Sequence, residues 1–347
     1  MSIETKLQKI RFLANARILE FFKAEENKLT AGLNAEIRNI MSQLERFCLG
    51  GKKIRIALAY FSYLACGGKS KKKFFRTAVS LELFHNFFLI HDDIIDKDNY
   101  RRNKLTFHKY FGEKRGDLHY GLSLAIIGAD LLNFFAYKNL DNSRYPEKVK
   151  NNIRKLFSVF LSRVCLGEFL DIYFAKVKKV SAKELLFGYD CKTGGYTTTL
   201  PVVFGAHLAG ASYRQIKELT EFSGPLGQVF QIKDDILDVF GNKSKFGKDP
   251  GSDLLNGKKT ILLDFVMKNA DCREKKYLNS LANKRKLLFK DIFKIRKIIR
   301  KSGAITYFDK YTENLVFKAK AKINKKNFNR NVCDLLALAD YFLIRSS

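Results

Sequence analysis

Two segments far apart in the chain share one pattern, an apolar run that breaks into aspartates. The first is Phe87-Phe88-Leu89-Ile90-His91-Asp92-Asp93-Ile94-Ile95-Asp96, and the second is Phe230-Gln231-Ile232-Lys233-Asp234-Asp235-Ile236-Leu237-Asp238. Read as helices, each sets its first and last aspartate one turn apart on one face, with the middle one beside them. A single segment of this kind is ordinarily a solvated acidic face. Two constrain the chain more, because helices with matching triads can face each other across a bundle. Carboxylate oxygens so arranged suit a hard cation such as Mg²⁺, and several ions could then surround one diphosphate. Phe87 and Phe88 lie about one turn before the first triad, toward the same side. The space implied has a charged mouth and an aromatic wall, which fits a ligand with an anionic head and a greasy tail.

A chain of 347 residues suits one large domain or two ordinary ones and can bury a sizeable core. Its 46% hydrophobic content excludes a disordered chain. Only four prolines occur, among many Leu, Ile, Lys and Glu, which favours helices over strands. The six cysteines form no Cys-x-x-Cys pair; their scatter argues against a zinc site or disulfide scaffold and for reduced thiols in a cytoplasmic protein. Residues 1–7 are polar, without the pattern of a secretory leader. The longest apolar stretch, 122–135, is interrupted by Asp130 and reads as too short to span a bilayer. The net charge of +29 has three readings: nucleic-acid binding, attraction to anionic lipid, or a lysine bias across the whole surface. The cations are spread along the chain, which favours the last, with a membrane surface next.

Helices are expected over 3–26, 33–47, 56–65, 74–97, 118–140, 149–174, 181–208, 213–240 and 284–301. Gly50-Gly51-Lys52-Lys53-Ile54-Arg55 precedes the third; glycine N–H groups with Lys52 and Arg55 can hold an anion, although an ordinary basic turn has the same composition. His85 falls about two turns before Asp92, on a similar face. Arg101-Arg102, in the break at 99–103, are either salt-bridge partners of the aspartates or phosphate clamps. Residues 112–116 read as a loop. Gly194-Gly195, after Lys192-Thr193, predict a kink or close packing; a kink would free backbone carbonyls. Residues 241–259 read as a mobile loop in which lysines could close over a phosphate. The basic amphipathic helix 284–301 carries a stripe of Leu288, Ile292, Ile295 and Ile299; a core-facing role is favoured over a membrane-surface one.

Taken together, these segments resemble the trans-type polyprenyl (isoprenyl diphosphate) synthases, and the farnesyl and geranylgeranyl diphosphate synthases among them. The resemblance runs from Gly50 to the last residues, with the motifs in the right order and at the right separations. It implies an all-α fold, a single-domain helical bundle over 1–347 around a deep central cavity, working as a homodimer. It implies that Asp92 and Asp96 ligate Mg²⁺ with Asp93 alongside, and that Asp234 holds a further ion supported by Asp235 and Asp238, three ions in all. Arg101, Lys192, Thr193, Gln231, Lys248 and Lys258 match the allylic diphosphate site. Lys52, Arg55, His85 and Arg102 match the isopentenyl diphosphate site, and Glu168 and Asp171 match an acidic motif near the metals. The activity implied joins isopentenyl diphosphate to an allylic diphosphate by ionisation, condensation and loss of a proton.

Phe88 and Phe87 stand four and five residues before Asp92, where bulky side chains resemble those of short-chain enzymes. The expected product is farnesyl (C15) or geranylgeranyl (C20) diphosphate, with C15 slightly favoured. Some positions depart from the family pattern: Asn103 stands where glycine is common, Ile56 where proline often follows, and the spacing after Lys248 differs. The rivals are a class I terpene cyclase, a non-catalytic partner subunit of a prenyl synthase, and a nucleic-acid-binding protein. The second aspartate triad with Lys52 and Arg55 argues against the first, and two intact triads argue against the second. No recognised nucleic-acid motif supports the third.

Overall fold

The computed structural model describes residues 1–29, 31–241, 250–281, 284 and 286–344. Apart from one short hairpin, the described chain is helical. The first half comprises α1 (Ile3–Leu29), α2 (Ala35–Cys48), α3 (Ile54–Ala65), α4 (Lys71–Ile95), α5 (Phe107–Arg115), α6 (Leu118–Asp141) and α7 (Glu147–Phe174). Then come α8 (Ala182–Tyr189), a π-helical segment (Asp190–Thr199), α9 (Leu200–Ala209) and α10 (Tyr213–Phe240). The C-terminal part holds α11 (Ser252–Leu255), α12 (Ile261–Asn269), α13 (Cys272–Leu281), α14 (Phe289–Lys301), α15 (Ala304–Lys320) and α16 (Val332–Ile344). This is the all-α class that the family resemblance implies, and it agrees with a composition that favours helices.

Local chemistry sets many of the boundaries. Asn34 and Asp117 cap α2 and α6 by accepting the N–H of Ile37 and Tyr120, each at 3.1 Å. Ser181 with Glu184, and Ser212 with Gln215, form reciprocal capping boxes on α8 and α10. Gly116 and Gly210 end α5 and α9 in the left-handed region, which a residue with a Cβ enters at a cost. Gly112 therefore lies inside a helix, where a loop is expected, and only Gly116 turns the chain.

Two hydrophobic clusters form the interior. The larger contains Phe84, Phe157 and Phe204, with ring centroids 4.5 Å apart for the first pair and 5.9 Å for the second. The smaller gathers Ile261, Leu262, Val266, Ile295, Ile299 and Phe308 from the C-terminal helices. Helix α10 belongs to both, giving Phe222, Leu226 and Val229 to the first and Ile232 and Val239 to the second. The helix that carries the second acidic triad is thus fixed along its whole length.

Four further expectations need correction. The turn at 99–103 contains a two-stranded hairpin, Tyr100–Arg101 against Lys104–Leu105, because Arg102 and Asn103 adopt positive φ. The kink near Lys192 is a π-helix of ten residues, a wider turn that shifts hydrogen bonds by one residue. Helix α14 starts at Phe289, later than 284, and buries Ile295 and Ile299 but leaves Leu288 exposed. Helix α6 is long and apolar enough to cross a membrane by length and composition; one face packs along α4 and α5, and Ile127 and Phe134 on another are exposed.

The π-helix and α10 touch through glycine. A Cβ on Gly227 would lie 2.1 Å from the Cα of Gly194. Gly227→Ala should therefore destabilise the fold by about 1–3 kcal/mol despite alanine's better helix propensity. Urea unfolding of the two proteins checks this, and an unchanged midpoint would disprove the tight contact.

Candidate active site

The two acidic helices do face one space. A cavity of about 320 Å³ is lined by His85, Phe88 and Asp92 of α4 and by Phe230, Gln231 and Asp234 of α10. Arg55 enters from α3, Glu168 from α7, Lys192, Thr193 and Tyr196 from the π-helix, and Arg101 and Arg102 from the hairpin. Its apolar wall is Phe88, Tyr196 and Phe230, with the Phe88 and Tyr196 rings edge to face at 5.3 Å.

Asp92, Asp93, Asp96, Glu168 and Asp171 each have a cation against them, as charges withdrawn from water require. Arg101 reaches Asp92 at 2.9 Å and Asp93 at 2.5 Å. Lys192 reaches Asp171 at 2.7 Å, Glu168 at 3.0 Å and Asp92 at 3.6 Å. Lys258 meets Asp96 at 2.6 Å. Burial alone would lower the pKa of Lys192, but Asp171, Asp92 and Glu168 outweigh it and keep the ammonium charged. Arg101 stays charged in the same way, through Asp93 and Asp92. Burial pushes the Glu168 carboxyl up to about 7 against the pull of Lys192. Burial and the neighbouring Asp92 charge raise Asp96. That crowding of carboxylates is what a divalent cation relieves.

The donor set fits Mg²⁺: hard carboxylate oxygens, from Asp92 and Asp96 on one helix and Asp234 on the other. Among the described residues, no three His, Cys, Asp or Glu side chains converge into a closed metal cage. Mg²⁺ suits such an open arrangement, since it ordinarily takes one or two carboxylates together with phosphate oxygens and water.

The triads are not uniform. Asp235 is buried and does not line the cavity; it accepts the Tyr189 hydroxyl and the Gln231 amide, the latter at 2.8 Å. Gln231 in turn accepts the Thr193 hydroxyl at 2.6 Å. Burial, followed by the charge of Asp253, drives the Asp235 carboxyl well above the carboxylate range. Asp238 accepts Ser252 Oγ at 2.6 Å and the Asp253 N–H at 3.3 Å, tying the end of α10 to α11. Asp93 is buried beneath Arg101. These three, grouped with the catalytic aspartates on sequence, sit as braces. Asp93 and Asp235 are each rotated about 100° from the aspartate that faces the cavity, whereas Asp238, one turn beyond Asp234, is held back by its bonds to Ser252 and Asp253.

The Gly50-Gly51 motif borders a second cavity of about 750 Å³, which shares Arg101 and Arg102 with the first. A Cβ on Gly50 would lie 2.1 Å from Arg102 Nη1, so only glycine lets this arginine in. Lys52 is exposed at the rim of this second cavity and does not line the first. Arg55 donates to Thr197 Oγ1 at 2.7 Å and to His85 Nε2 at 3.1 Å, and lies over the Tyr196 ring at 4.6 Å. Burial, aided by Arg55 and Arg102, holds the His85 pKa well below its ordinary value, so the ring is neutral. A ring that accepts at Nε2 carries its proton on Nδ1, and that atom has no partner among the described residues. An N–H donor left over at the wall of a cationic cavity suits an anionic oxygen.

Phe88 lines the first cavity, whereas Phe87 lies beside it, its ring tilted against Phe88 at 4.7 Å and edge to face with His91 at 4.8 Å. Lys248 lies outside the described residues. Sequence reasoning missed Lys53, Glu82, Tyr189, Tyr196 and Thr197. Glu82 interrupts an apolar run between Leu81 and Leu83, and a lone acid there is the signal that a buried partner exists.

With this geometry in place, the comparisons with known proteins are decisive. A family model described as Polyprenyl synthetase matches residues 37–299. The chain belongs to the polyprenyl synthetase family. It is 30% identical over 308 residues to a geranylgeranyl diphosphate synthase of Saccharolobus solfataricus, covering 83% of this chain and 89% of that one. It is 34% identical over 236 residues to a short chain isoprenyl diphosphate synthase of Methanocaldococcus jannaschii, covering 68% of each. Among solved structures, a geranylgeranyl pyrophosphate synthase from Corynebacterium glutamicum, complexed with isoprenyl diphosphate and magnesium, superposes with a TM-score of 0.91 at 27% identity. That match covers 97% of this chain and 99% of the other.

In this polyprenyl synthetase the glycine loop hangs on one buried ion pair. Lys53, in the left-handed region, donates to the carbonyls of Cys48 and Gly50, and pairs with Glu82 at 2.8 Å, both side chains being almost fully buried. Lys53→Met should cost about 3–5 kcal/mol, because it strands the Glu82 charge. Adding Glu82→Leu should recover most of that loss. Chemical denaturation of the single and double variants reads the difference, and equal stability of the two would refute the pairing.

Proposed function

We propose that this chain condenses isopentenyl diphosphate with an allylic diphosphate to give a short-chain prenyl diphosphate. The observation that carries the reading is the pairing, in one cavity, of Asp92 and Asp234 from facing helices with an aromatic wall of Phe88, Tyr196 and Phe230. The named activities of the relatives support it.

Mg²⁺ held by Asp92, Asp96 and Asp234 would supply positive charge to the allylic diphosphate as the carbon–oxygen bond weakens. Arg101, steadied by Asp93, and Lys192, steadied by Asp171, present fixed cations to the same leaving group. Lys258 stands ready on the Asp96 side. Thr193 and Gln231, linked to each other and to Asp235, hold oriented dipoles where the allylic carbon becomes positive. The ring wall keeps water from that carbon. Arg55, Arg102 and neutral His85 would receive the second diphosphate, and its double bond attacks. The proton lost passes to the departing diphosphate, so no side chain is needed as base.

The same reading includes three Mg²⁺ ions, a cytoplasmic setting in keeping with six free thiols, and a homodimer. Exposed Ile127 and Phe134 on α6 and the α7 stripe of Val159, Leu166 and Tyr173 give a second copy an apolar face to cover. A cyclisation would leave Arg55, Arg102 and His85 without a ligand, and a nucleic-acid role draws on no feature of this cavity.

Product length follows from the wall. Purified protein with Mg²⁺, labelled isopentenyl diphosphate and dimethylallyl, geranyl or farnesyl diphosphate should give products ending at C15 or C20, C15 being favoured. Phe88→Ala should lengthen them, and Phe87→Ala added to it should extend them further. Unchanged lengths would remove the rings as the limit. Folded protein that binds substrate but incorporates none would instead be a non-catalytic partner subunit.

A further inference from the structure

Helix α14 is built as an amphipathic element twice over. Its inward face, Ile295, Ile298 and Ile299, is buried in the smaller cluster, and its single acid, Asp291, is also turned inward. Asp291 accepts the Tyr277 hydroxyl at 2.9 Å and pairs with Lys284 at 2.7 Å. The core therefore makes no use of the two phenylalanines on the opposite side. Phe289 is 87% exposed and Phe293 66%, with Leu288 beside them at 53%.

At 100° per residue, Phe289, Arg300, Phe293, Lys297, Lys290, Lys301 and Lys294 occupy one continuous arc of about 140°. It holds two aromatic rings and five cations and no acid. Lys301 shares its charge with Asp271, just before α13, and with Glu274 on it, at 3.1 and 2.8 Å. Lys290, Lys297 and Arg300 have no acidic partner among the described residues. Isolated exposed apolar side chains are ordinary, but adjacent rings inside a basic arc are the composition of a helix that lies on an anionic bilayer.

We infer that α14 is a membrane-contact helix, docking this chain on an anionic phospholipid surface through Phe289 and Phe293 with Lys290, Lys297 and Arg300 around them. Charge complementarity selects the partner: the cations meet lipid headgroups while the rings enter the boundary below them. A duplex nucleic acid would use the cations and leave the rings idle. Arg296 donates to the carbonyls of Val239 and Gly241 at 2.8 and 3.2 Å, so the docked helix stands directly behind the last turn of α10. The inference rests on this surface alone and is independent of the reaction.

The chain has no tryptophan, which makes Phe293→Trp a unique reporter. With full-length protein and vesicles of phosphatidylcholine and phosphatidylglycerol, its emission should shift to the blue, and phosphatidylcholine vesicles alone should leave it unmoved. In co-sedimentation, Phe289→Ser with Phe293→Ser should weaken binding to the anionic vesicles roughly tenfold or more. Lys290→Glu with Lys297→Glu should do the same and flatten the salt dependence. Circular dichroism and activity with soluble substrates should be unchanged in both variants. Vesicle binding unaffected by the serine pair, or a tryptophan that stays in water while the protein sediments, would overturn the inference.

Discussion

The structure depends on the cost of holding several like charges close together in a partly dry space. Asp92, Asp93, Asp96, Glu168, Asp171 and Asp98 crowd the mouth of one cavity, and the protein neutralises them from within. Arg101, Lys192 and Lys258 are each shared by two or more carboxylates. Shared cations are the economical solution, because one buried charge satisfies several neighbours and none is stranded. They also leave the site responsive: bringing in a polyanion with divalent ions changes which charges are in excess, and the same lysines and arginines acquire a second class of partner.

That electrostatic arrangement needs a rigid frame, and α10 provides much of it. One end is gripped by the larger cluster, the other by the C-terminal helices, so Asp234 is aimed by packing on both sides of it. Against α10 lies the π-helix, admitted close enough for contact only because Gly194 and Gly227 lack side chains. The hydrogen-bonded line from Thr193 through Gln231 to Asp235 and Tyr189 crosses that contact. Tyr189 also accepts the N–H of Ile261 at 3.0 Å, carrying the line into the start of α12.

Much of this was legible in the sequence. The repeated triads, the glycine pair before α3 and the Gly194-Gly195 break are local patterns whose physics survives without coordinates. With the family resemblance they carry, they led to the helical class, to the facing aspartates and to most of the cavity's charged residues. What stayed hidden has one cause, that a pattern marks a helix but not which of two adjacent residues it turns inward. Asp234 and Asp235 are indistinguishable until Tyr189, 46 positions away, takes the second one. Phe87 and Phe88 differ in the same way. The Lys53–Glu82 pair joins residues 29 apart, and no local rule connects them. The short hairpin after α4 depended on positive φ at Arg102 and Asn103, residues without glycine's freedom.

The π-helix has a consequence for how this segment tolerates change in length. A π turn is an α-helix carrying one residue more than its hydrogen-bond ladder needs. Dropping a residue between Asp190 and Thr199 would let the ladder close as an ordinary α-helix, with α8 and α9 both intact as rods. The cost would fall on phase: everything on one side of the deletion would turn by about 100° relative to the other. Lys192, near the front of the segment, and Tyr196 and Thr197, near its back, would then no longer look into one space. The surplus residue is a phase shifter, and it lets a single helical rod address the diphosphate end of the cavity and its aromatic wall together.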